Sequence, residues 1–381
     1  MAWTSRERIL CALNHEEPDR VPLYFGSCGL TSVLGPAYPA LRAHLGLPAA
    51  PVRCEPRAFQ YARMGEDALR RLGGDARPIY PGPAPSRLRQ DISASAFRTE
   101  WGILWEKPAD SLYYHVSEAP LRTATIDDLD RFPWPDLAAP SRFAGMAERA
   151  RAIQEAGYAC VLQSGVTIFE TACMVRGLDA CLMDIAADED FFTALLSKVK
   201  SLAIPYVEAL LKEVGPYVDV FNTGDDLGMQ EAPMVSPASY RRLIKPHEAE
   251  LLAAIHRHTR AKVFFHSCGD VSSLLGDFVD IGVDILHPVQ VSTPGLSDTA
   301  RLKREFGRHL SFCGAIDTHH VMPHGTEADV RTEVRRRIRD LAPGGGYLAA
   351  AVHCLQPDVP PRNIVAMCEE VVAAGRYPLR T

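Results

Sequence analysis

Two side chains that commonly bind metal ions stand two residues apart in the middle of the sequence. The apolar run VFF, residues 263–265, is followed directly by His266, Ser267, Cys268 and Gly269. On a β-strand, residues i and i+2 point to the same face, so this imidazole and this thiol could converge on one ion. Nitrogen and thiolate sulfur together are typical zinc ligands. The alternative is packing, because free cysteine is among the most buried residue types.

A second His/Cys pair, His353 and Cys354, ends the last apolar run of the chain. Adjacent residues of an extended strand point to opposite sides, so we expect only one of the two to be a ligand. Three protein ligands would leave the fourth position of a zinc ion open, as in catalytic sites. Cys313 lies inside another apolar run, which favours a role in the core over metal binding.

Carboxylates and amides also follow apolar runs. Asp225 and Asp226 are adjacent, and the repulsion between neighbouring carboxylates can raise one pKa, which suits proton transfer. We therefore predict both as catalytic residues, although TGDDLG also reads as a turn whose Asp side chains bind backbone amides. Asn222, Gln290 and Asp317 occupy similar positions. They are predicted to bind the substrate.

The apolar runs predict the fold. Most of the eight strand candidates are uniformly apolar, as in parallel sheets buried on both faces, and helical patterns separate the later ones. Their predicted bounds are 21–26, 75–80, 158–165, 218–226, 262–270, 284–289, 309–317 and 346–354. We predict an α/β fold in a single domain, 1–381: a (β/α)8 barrel with an N-terminal helical segment and a β-hairpin excursion at about 97–124. Its active site would lie at the carboxyl ends of the strands.

Composition excludes several classes of protein. The 381 residues are 47% hydrophobic and 23% charged, and the net charge of -6 comes without a basic stripe, which argues against nucleic-acid binding. The N-terminus resembles no signal peptide, and no apolar run reaches the roughly 18 residues that a membrane span needs. Ten cysteines without CxxC pairs suit a reducing compartment, so we expect a cytoplasmic protein.

Three ordered blocks of the sequence resemble the uroporphyrinogen decarboxylase superfamily. The blocks are SRERILCALNHEEPDRVP, HSCGDVSSLLGDFVDIGVDILHPVQ and LAPGGGYLAAAVHCLQPDVPPRNIVAM. The resemblance spans nearly the whole chain and implies a distorted TIM barrel, in agreement with the strand count. True decarboxylases of this superfamily carry an RQAGR-type motif after the first strand, where this chain has FGSCGLTSV. A polyanionic tetrapyrrole needs cationic partners, so its decarboxylation is not expected here.

The sequence is closer to the cobamide-dependent methyltransferases of the superfamily. Their HxCG motif is matched by His266, Cys268 and Gly269. Their third zinc ligand is a cysteine that precedes a P-x-x-P-x-x-N-like segment, and the matching position here is His353, with Cys354 one residue later. The resemblance therefore implies either a His/Cys/His site or a slipped site that uses Cys354.

The function implied by the resemblance is zinc-dependent methyl transfer between a corrinoid partner protein, which carries cobalamin, and a small acceptor that we expect to be a thiol. The superfamily also leads us to expect a homodimer. Two alternatives stay open. One is a metal-independent decarboxylase or lyase of a small carboxylated substrate, with Asp225 as the central acid or base. The other is a non-catalytic barrel that binds a cofactor.

Overall fold

The chain forms a curled parallel sheet and a small antiparallel sheet. The computed structural model describes residues 3–379. The parallel sheet has the order β1-β6-β7-β8-β9-β10-β11, and the antiparallel sheet has the order β2-β3-β4-β5. The strands are β1 Ala76–Ile79, β2 Gln90–Asp91, β3 Ala96–Arg98, β4 Leu104–Glu106, β5 His115–Glu118, β6 Ala159–Gln163, β7 Val220–Gly224, β8 Lys262–His266, β9 Ile285–Val289, β10 Ser311–Ile316 and β11 Tyr347–Ala351.

An extended segment, residues 21–25, occupies the eighth position of the barrel. Leu23 forms a single parallel bridge with Ala349 of β11. On its other side, the Leu23 carbonyl accepts a hydrogen bond of 3.0 Å from the N–H of Asp75, next to β1. Pro22 has no N–H to donate, and Gly26 turns the chain at φ 75°, so the segment cannot form a full ladder. The predicted distorted (β/α)8 barrel is confirmed, with its first predicted strand reduced to this segment.

The other seven predicted barrel strands are present and shorter than predicted. Strands β7, β9, β10 and β11 are buried along their whole length, as expected for a parallel sheet that is covered on both faces. Strand β8 ends at His266, four residues before the end of the predicted strand. Cys268 consequently lies in the turn beyond the strand, and the two-residue spacing on one strand face does not explain how it meets His266.

The helices cover the outside of the barrel. Helix α1 begins with the capping box formed by Thr4 and Glu7. No helix in residues 3–379 combines the length and the apolar character that a membrane crossing requires. The helices are α1 Ser5–Leu13, α2 Tyr38–His44, α3 Glu66–Leu72, α4 Ile126–Arg131, α5 Met146–Glu155, α6 Phe169–Arg176, α7 Leu178–Ala187, α8 Glu189–Val214, α9 Pro237–Ser239, α10 Lys245–His258, α11 Leu275–Asp280, α12 Thr299–Phe306, α13 Val321–His324, α14 Glu327–Leu341 and α15 Pro361–Ala374.

Two helical features were not predicted. Helix α7 follows α6 directly, and Gly177 at φ 90° provides the sharp corner between them. The helical segment from Pro237 to His258 contains a wide turn at Tyr240–Ile244. This turn separates α9 from α10 and directs the Tyr240 hydroxyl at the buried carboxyl of Glu248, 2.6 Å away.

The predicted β-hairpin excursion is a four-stranded antiparallel sheet. It starts earlier than predicted, because β2 pairs with β3 through Gln90 and Arg98. The alternation of aromatic and polar residues in this segment buries Phe97 and Trp105 while β5 stays exposed. This sheet stands over the carboxyl ends of the barrel strands, where Phe97 and Arg98 reach the cavity described below.

The amino end of the barrel is held by the buried carboxylate of Asp75. The Arg8 guanidinium donates to it at 2.7 Å, and that of Arg20 does so at 2.8 and 2.9 Å. Ser5 and the N–H of Leu23 also donate, both at 2.8 Å. One side chain thus joins α1, the closing segment and β1.

Substitution Asp75→Asn should destabilise the protein by about 3–5 kcal/mol, because it removes the carboxylate partner of Arg20 and one of the two carboxylate partners of Arg8, which keeps Asp19. The measurement is the thermal unfolding midpoint. Asp179→Asn is the matched control, since it removes the exposed pair between Asp179 and Arg122 and should change the midpoint little. Equal effects of the two substitutions would show that Asp75 does not hold the barrel end.

Candidate active site at the carboxyl ends of the strands

A cavity of about 590 Å³ opens at the carboxyl ends of the barrel strands. Its floor includes the loop after β6 and the ends of β7 and β8, and its wall comes from the antiparallel sheet and residues 54–61. His266, His353 and Asp226 all line it. This is the position at which enzymes built on such barrels carry out their chemistry.

Three of the predicted ligands meet at this cavity. One donor atom each from His266, Cys268 and His353 lies within 4.8 Å of the others. Nε2 of His266 is 3.4 Å from Sγ of Cys268. His353 follows β11 by two residues and tilts against His266, with 5.5 Å between the ring centroids. Within residues 3–379, this is the His/Cys/Asp/Glu cluster whose geometry suits a metal ion.

Cys354, the other predicted candidate on the last strand, points away from this cluster. It is buried in a small apolar group with Leu34 and Tyr61. The next residue, Leu355, pairs with Val33, and this pairing fixes the direction of the chain at this point. Of the two adjacent residues, the structure therefore brings His353 to the cluster.

His266 is oriented by a third histidine, His287 of β9. Their Nδ1 atoms are 2.8 Å apart, so one of the two donates a hydrogen bond to the other. If Nε2 of His266 binds an ion, Nδ1 of His266 must carry the hydrogen atom and donate the hydrogen bond to Nδ1 of His287. His287 is fully buried and stacks on Phe264, with 4.7 Å between the ring centroids. The sequence showed His287 at a strand end but gave no sign of this supporting role.

The protonation of the cluster fits a bound cation. Burial lowers the pKa of His353 to about 4 and lowers that of His266 as well, so both imidazoles are neutral and have lone pairs to offer. Burial raises the pKa of Cys268 well above its usual value, and the charges of Asp226 and Glu170 raise it further. A positive ion would offset these negative groups and stabilise the thiolate. Two imidazoles and one thiolate are a donor set that suits zinc.

Asp226 lies beside the cluster, whereas Asp225 is buried beneath it. Oδ1 of Asp226 accepts a hydrogen bond of 2.9 Å from the N–H of Cys268 and is 3.5 Å from Nε2 of His266. The carboxylate of Asp225 accepts hydrogen bonds from the backbone of Ile168 and Glu170 at 3.1 and 2.7 Å. Burial raises the pKa of Asp225 to about 6, against the effect of these bonds. Asp225 thus fixes the loop that carries Glu170 and does not line the cavity.

Glu170 is a site residue that sequence reasoning missed. It stands in the first turn of α6 and lines the cavity. Burial raises its pKa well above the usual value, and the charges of Asp226 and Asp225 add to the effect. The signal in the sequence was weak, because Glu170 is seven residues beyond the end of β6 and only the folded loop SGVTIFE returns it to the site.

The predicted substrate-binding residues have different positions. Asn222 lines the cavity and donates to Oε1 of Gln163 at 3.0 Å. Gln290 accepts a hydrogen bond of 2.8 Å from the N–H of Gly269 and so supports the turn that carries Cys268. Asp317 accepts from the backbone N–H groups of His319 and His320 after β10, away from the cavity lining.

Comparison with known proteins gives the family. The family model described as Uroporphyrinogen decarboxylase (URO-D) matches residues 115–373, more than half of the chain. Uroporphyrinogen decarboxylase of Geobacter sulfurreducens is 22% identical over 263 residues, which cover 67% of this chain and 71% of that protein. The corresponding protein of Trichlorobacter lovleyi is 23% identical over 264 residues, with the same coverage.

Among solved structures, a methyltransferase from Methanosarcina mazei shares the fold. It superposes with a TM-score of 0.64 at 17% identity, over 98% of this chain and 99% of that one. An identity this low speaks for the fold alone. The family match, together with the barrel and the cavity at the ends of its strands, shows that this chain is an enzyme of the uroporphyrinogen decarboxylase family.

Proposed function

We propose that this enzyme is a zinc-dependent methyltransferase that moves a methyl group between a corrinoid protein and a small acceptor, which we infer to be a thiol. The observation that carries the proposal is the cluster of His266, Cys268 and His353, whose donor atoms lie within 4.8 Å of one another beside a cavity that both histidines line. A cluster of neutral imidazoles and a buried thiol has no evident purpose in packing alone. The fold shared with a methyltransferase is consistent with the proposal.

In this scheme His266, Cys268 and His353 would hold zinc beside the cavity. When bound there, zinc acts as a Lewis acid that lowers the pKa of a substrate thiol. His287 keeps the His266 ring in place through the contact between their Nδ1 atoms. In its ionised form Glu170 can accept the proton that the thiol releases, because its raised pKa makes it a stronger base than an ordinary carboxylate. The acceptor sulfur would form a bond to the methyl carbon, and the corrinoid, as leaving group, would keep the electron pair of the bond that breaks.

The identity of the third zinc ligand sets the charge of the site and therefore the kind of acceptor that it would bind. With two neutral imidazoles and one thiolate, the zinc site would carry a formal charge of roughly +1, whereas a second cysteine would make it neutral. A positive site attracts an anionic sulfur more strongly. His353 in place of the cysteine of the related methyltransferases therefore supports a thiolate acceptor and a strongly acidifying metal site.

We expect the purified protein to contain about one zinc ion per chain. Cys268→Ser and His353→Gln should each weaken zinc binding by more than the 10- to 100-fold that loss of a supporting residue costs. Cys354→Ser is the matched control and should retain the metal, because Cys354 packs away from the cluster. Elemental analysis and competition with a chromophoric chelator measure these affinities. Loss of zinc from the Cys354 variant, with retention in the His353 variant, would identify the slipped site instead.

Activity is tested with free methylcobalamin and 2-mercaptoethanol under anaerobic conditions. The holoenzyme should consume methylcobalamin and form the methyl thioether, a chelator should abolish the reaction, and added zinc should restore it. The readouts are the absorbance of methylcobalamin and mass detection of the thioether. A rate that chelation leaves unchanged would remove the zinc mechanism.

A second candidate function is metal-independent decarboxylation, which the carboxyl group of Glu170 beside Asp226 specifically favours. A carboxyl group held neutral by burial can donate a proton to the carbon that loses carbon dioxide. This function predicts that carbon dioxide is released from a carboxylated substrate in the presence of chelator and that Glu170→Gln abolishes the release. Methyl transfer predicts no carbon dioxide at all, so a single assay separates the two functions.

A further inference from the structure

A buried arginine, Arg142, stands in the cavity wall without a counter-ion. It belongs to the short turn Pro140–Phe143 that precedes α5, and only 8% of its surface is exposed. Its Nε donates to the carbonyl of Gly82 and its Nη1 to that of Leu137, both at 2.9 Å. The guanidinium lies over the ring of Tyr206, 4.5 Å from the centroid. Within residues 3–379, its Nη2 donates no hydrogen bond to another protein group.

The other cavity arginines differ from Arg142 in that each has a carboxylate partner. The pairs are Arg57 with Asp91 at 3.1 Å, Arg89 with Glu100 at 3.8 Å and Arg98 with Glu118 at 2.8 Å. Glu100 also lines the cavity, but its ion pair is with Arg89. In the described part of the chain, Arg142 is therefore the cavity arginine whose charge is left without a carboxylate.

A buried guanidinium without a counter-ion is costly, and two backbone carbonyls offset the cost only in part. The same two hydrogen bonds fix the plane of the guanidinium, so its remaining edge has a defined direction. A planar fork of N–H groups held in this way is suited to bind a carboxylate or another oxyanion with high geometric specificity.

We propose that Arg142 forms an oxyanion subsite of the cavity and holds a carboxylate, or a chemically equivalent anionic group, on the substrate. The cavity that Arg142 shares with His266 and His353 is also lined by Trp101 and Tyr206. They suit an apolar body that joins the anionic end of the substrate to its reacting end. The assignment of the reacting end to the cluster rests on the proposed function, whereas the contact with Arg142 does not.

This subsite differs from the arginine motif that the family resemblance led us to look for. That motif follows the first strand, where this chain has FGSCGLTSV and no arginine. Arg142 comes from a segment more than a hundred residues later, beyond the antiparallel sheet. The cavity thus obtains a cationic group from another part of the chain.

The subsite is tested by binding, with 3-phenylpropionate and its uncharged analogue 3-phenylpropionamide as probes. The full-length protein is titrated by calorimetry and by tryptophan fluorescence, to which Trp101 contributes. It should bind the acid about 10- to 100-fold more tightly than the amide, because a charge-assisted contact is lost with the amide. The matching sulfonate and phosphonate are further probes that distinguish between classes of oxyanion. The titrations are repeated after a chelator has removed any metal ion. A preference that persists then shows that the carboxylate does not bind to a metal ion.

Arg142→Gln should remove the preference for the acid and leave binding of the amide unchanged. Arg98→Gln is the matched control, because it removes a cavity arginine that already has a partner, and it should keep the preference. If Arg142→Gln fails to fold, Arg142→Lys serves in its place: it retains the charge, loses the fork, and should reduce the preference at least severalfold.

The proposal is overturned if the unmodified protein binds the acid and the amide equally, or if the folded Arg142 variants keep the full preference. The outcome is independent of the proposed function. A preference that depends on Arg142 in a protein without zinc or methyl transfer would support the subsite and refute the methyltransferase. A protein that binds zinc and transfers methyl groups but shows no preference for the acid would support the methyltransferase and refute the subsite.

Discussion

The position of Cys268 depends on a close contact between the loops that follow β7 and β8. The backbones of Gly228 and Gly269 touch directly, and a Cβ atom on either residue would collide with the main chain of the other. Gly269 also has φ 85°, a conformation that side chains other than glycine rarely adopt. The N–H of Cys268 is bound by Asp226 and that of Gly269 by Gln290, so the turn is fixed from both sides. Without this contact the thiol would have no defined relation to His266, and the cluster would not form.

The sequence predicted the barrel well, because strands buried on both faces leave uniformly apolar runs that can be recognised locally. It predicted that His266 and Cys268 meet because they stand two residues apart on one strand, but only His266 lies on that strand. His266 ends β8, but the turn at Gly269, and not the alternation of a strand, brings Cys268 to it. The choice between His353 and Cys354 depends on a long-range pairing of Leu355, which no local pattern contains. Glu170 and Arg142 were missed for the same reason.

The charges around the cluster define what it can bind. Burial holds the imidazoles of His266 and His353 neutral, whereas the carboxylate of Asp226 makes the surroundings of Cys268 negative. A structural core would not gather a thiol, two imidazoles and carboxyl groups in one place, because each polar group costs free energy when it leaves water. A cation shared by the histidines and the thiolate would offset this cost. The same field would repel an anionic substrate from the cluster in the absence of the ion, so the ion and the substrate sulfur should bind in that order.

The cavity is polarised, with the cluster of His266, Cys268 and His353 at the strand ends, Glu170 in the first turn of α6 and Arg142 in the wall before α5. A substrate held only by its reactive group could bind the cluster in many orientations. A second contact, between an anionic group of the substrate and Arg142, would restrict it to one orientation. In the proposed methyl transfer, its reacting atom would then be held beside the cluster before the methyl donor arrives. At about 590 Å³, the cavity offers room for an acceptor larger than the smallest thiols. Orientation by a remote charge accelerates a transfer without any further chemistry at the reacting atoms, because the position of the acceptor is fixed before the donor arrives.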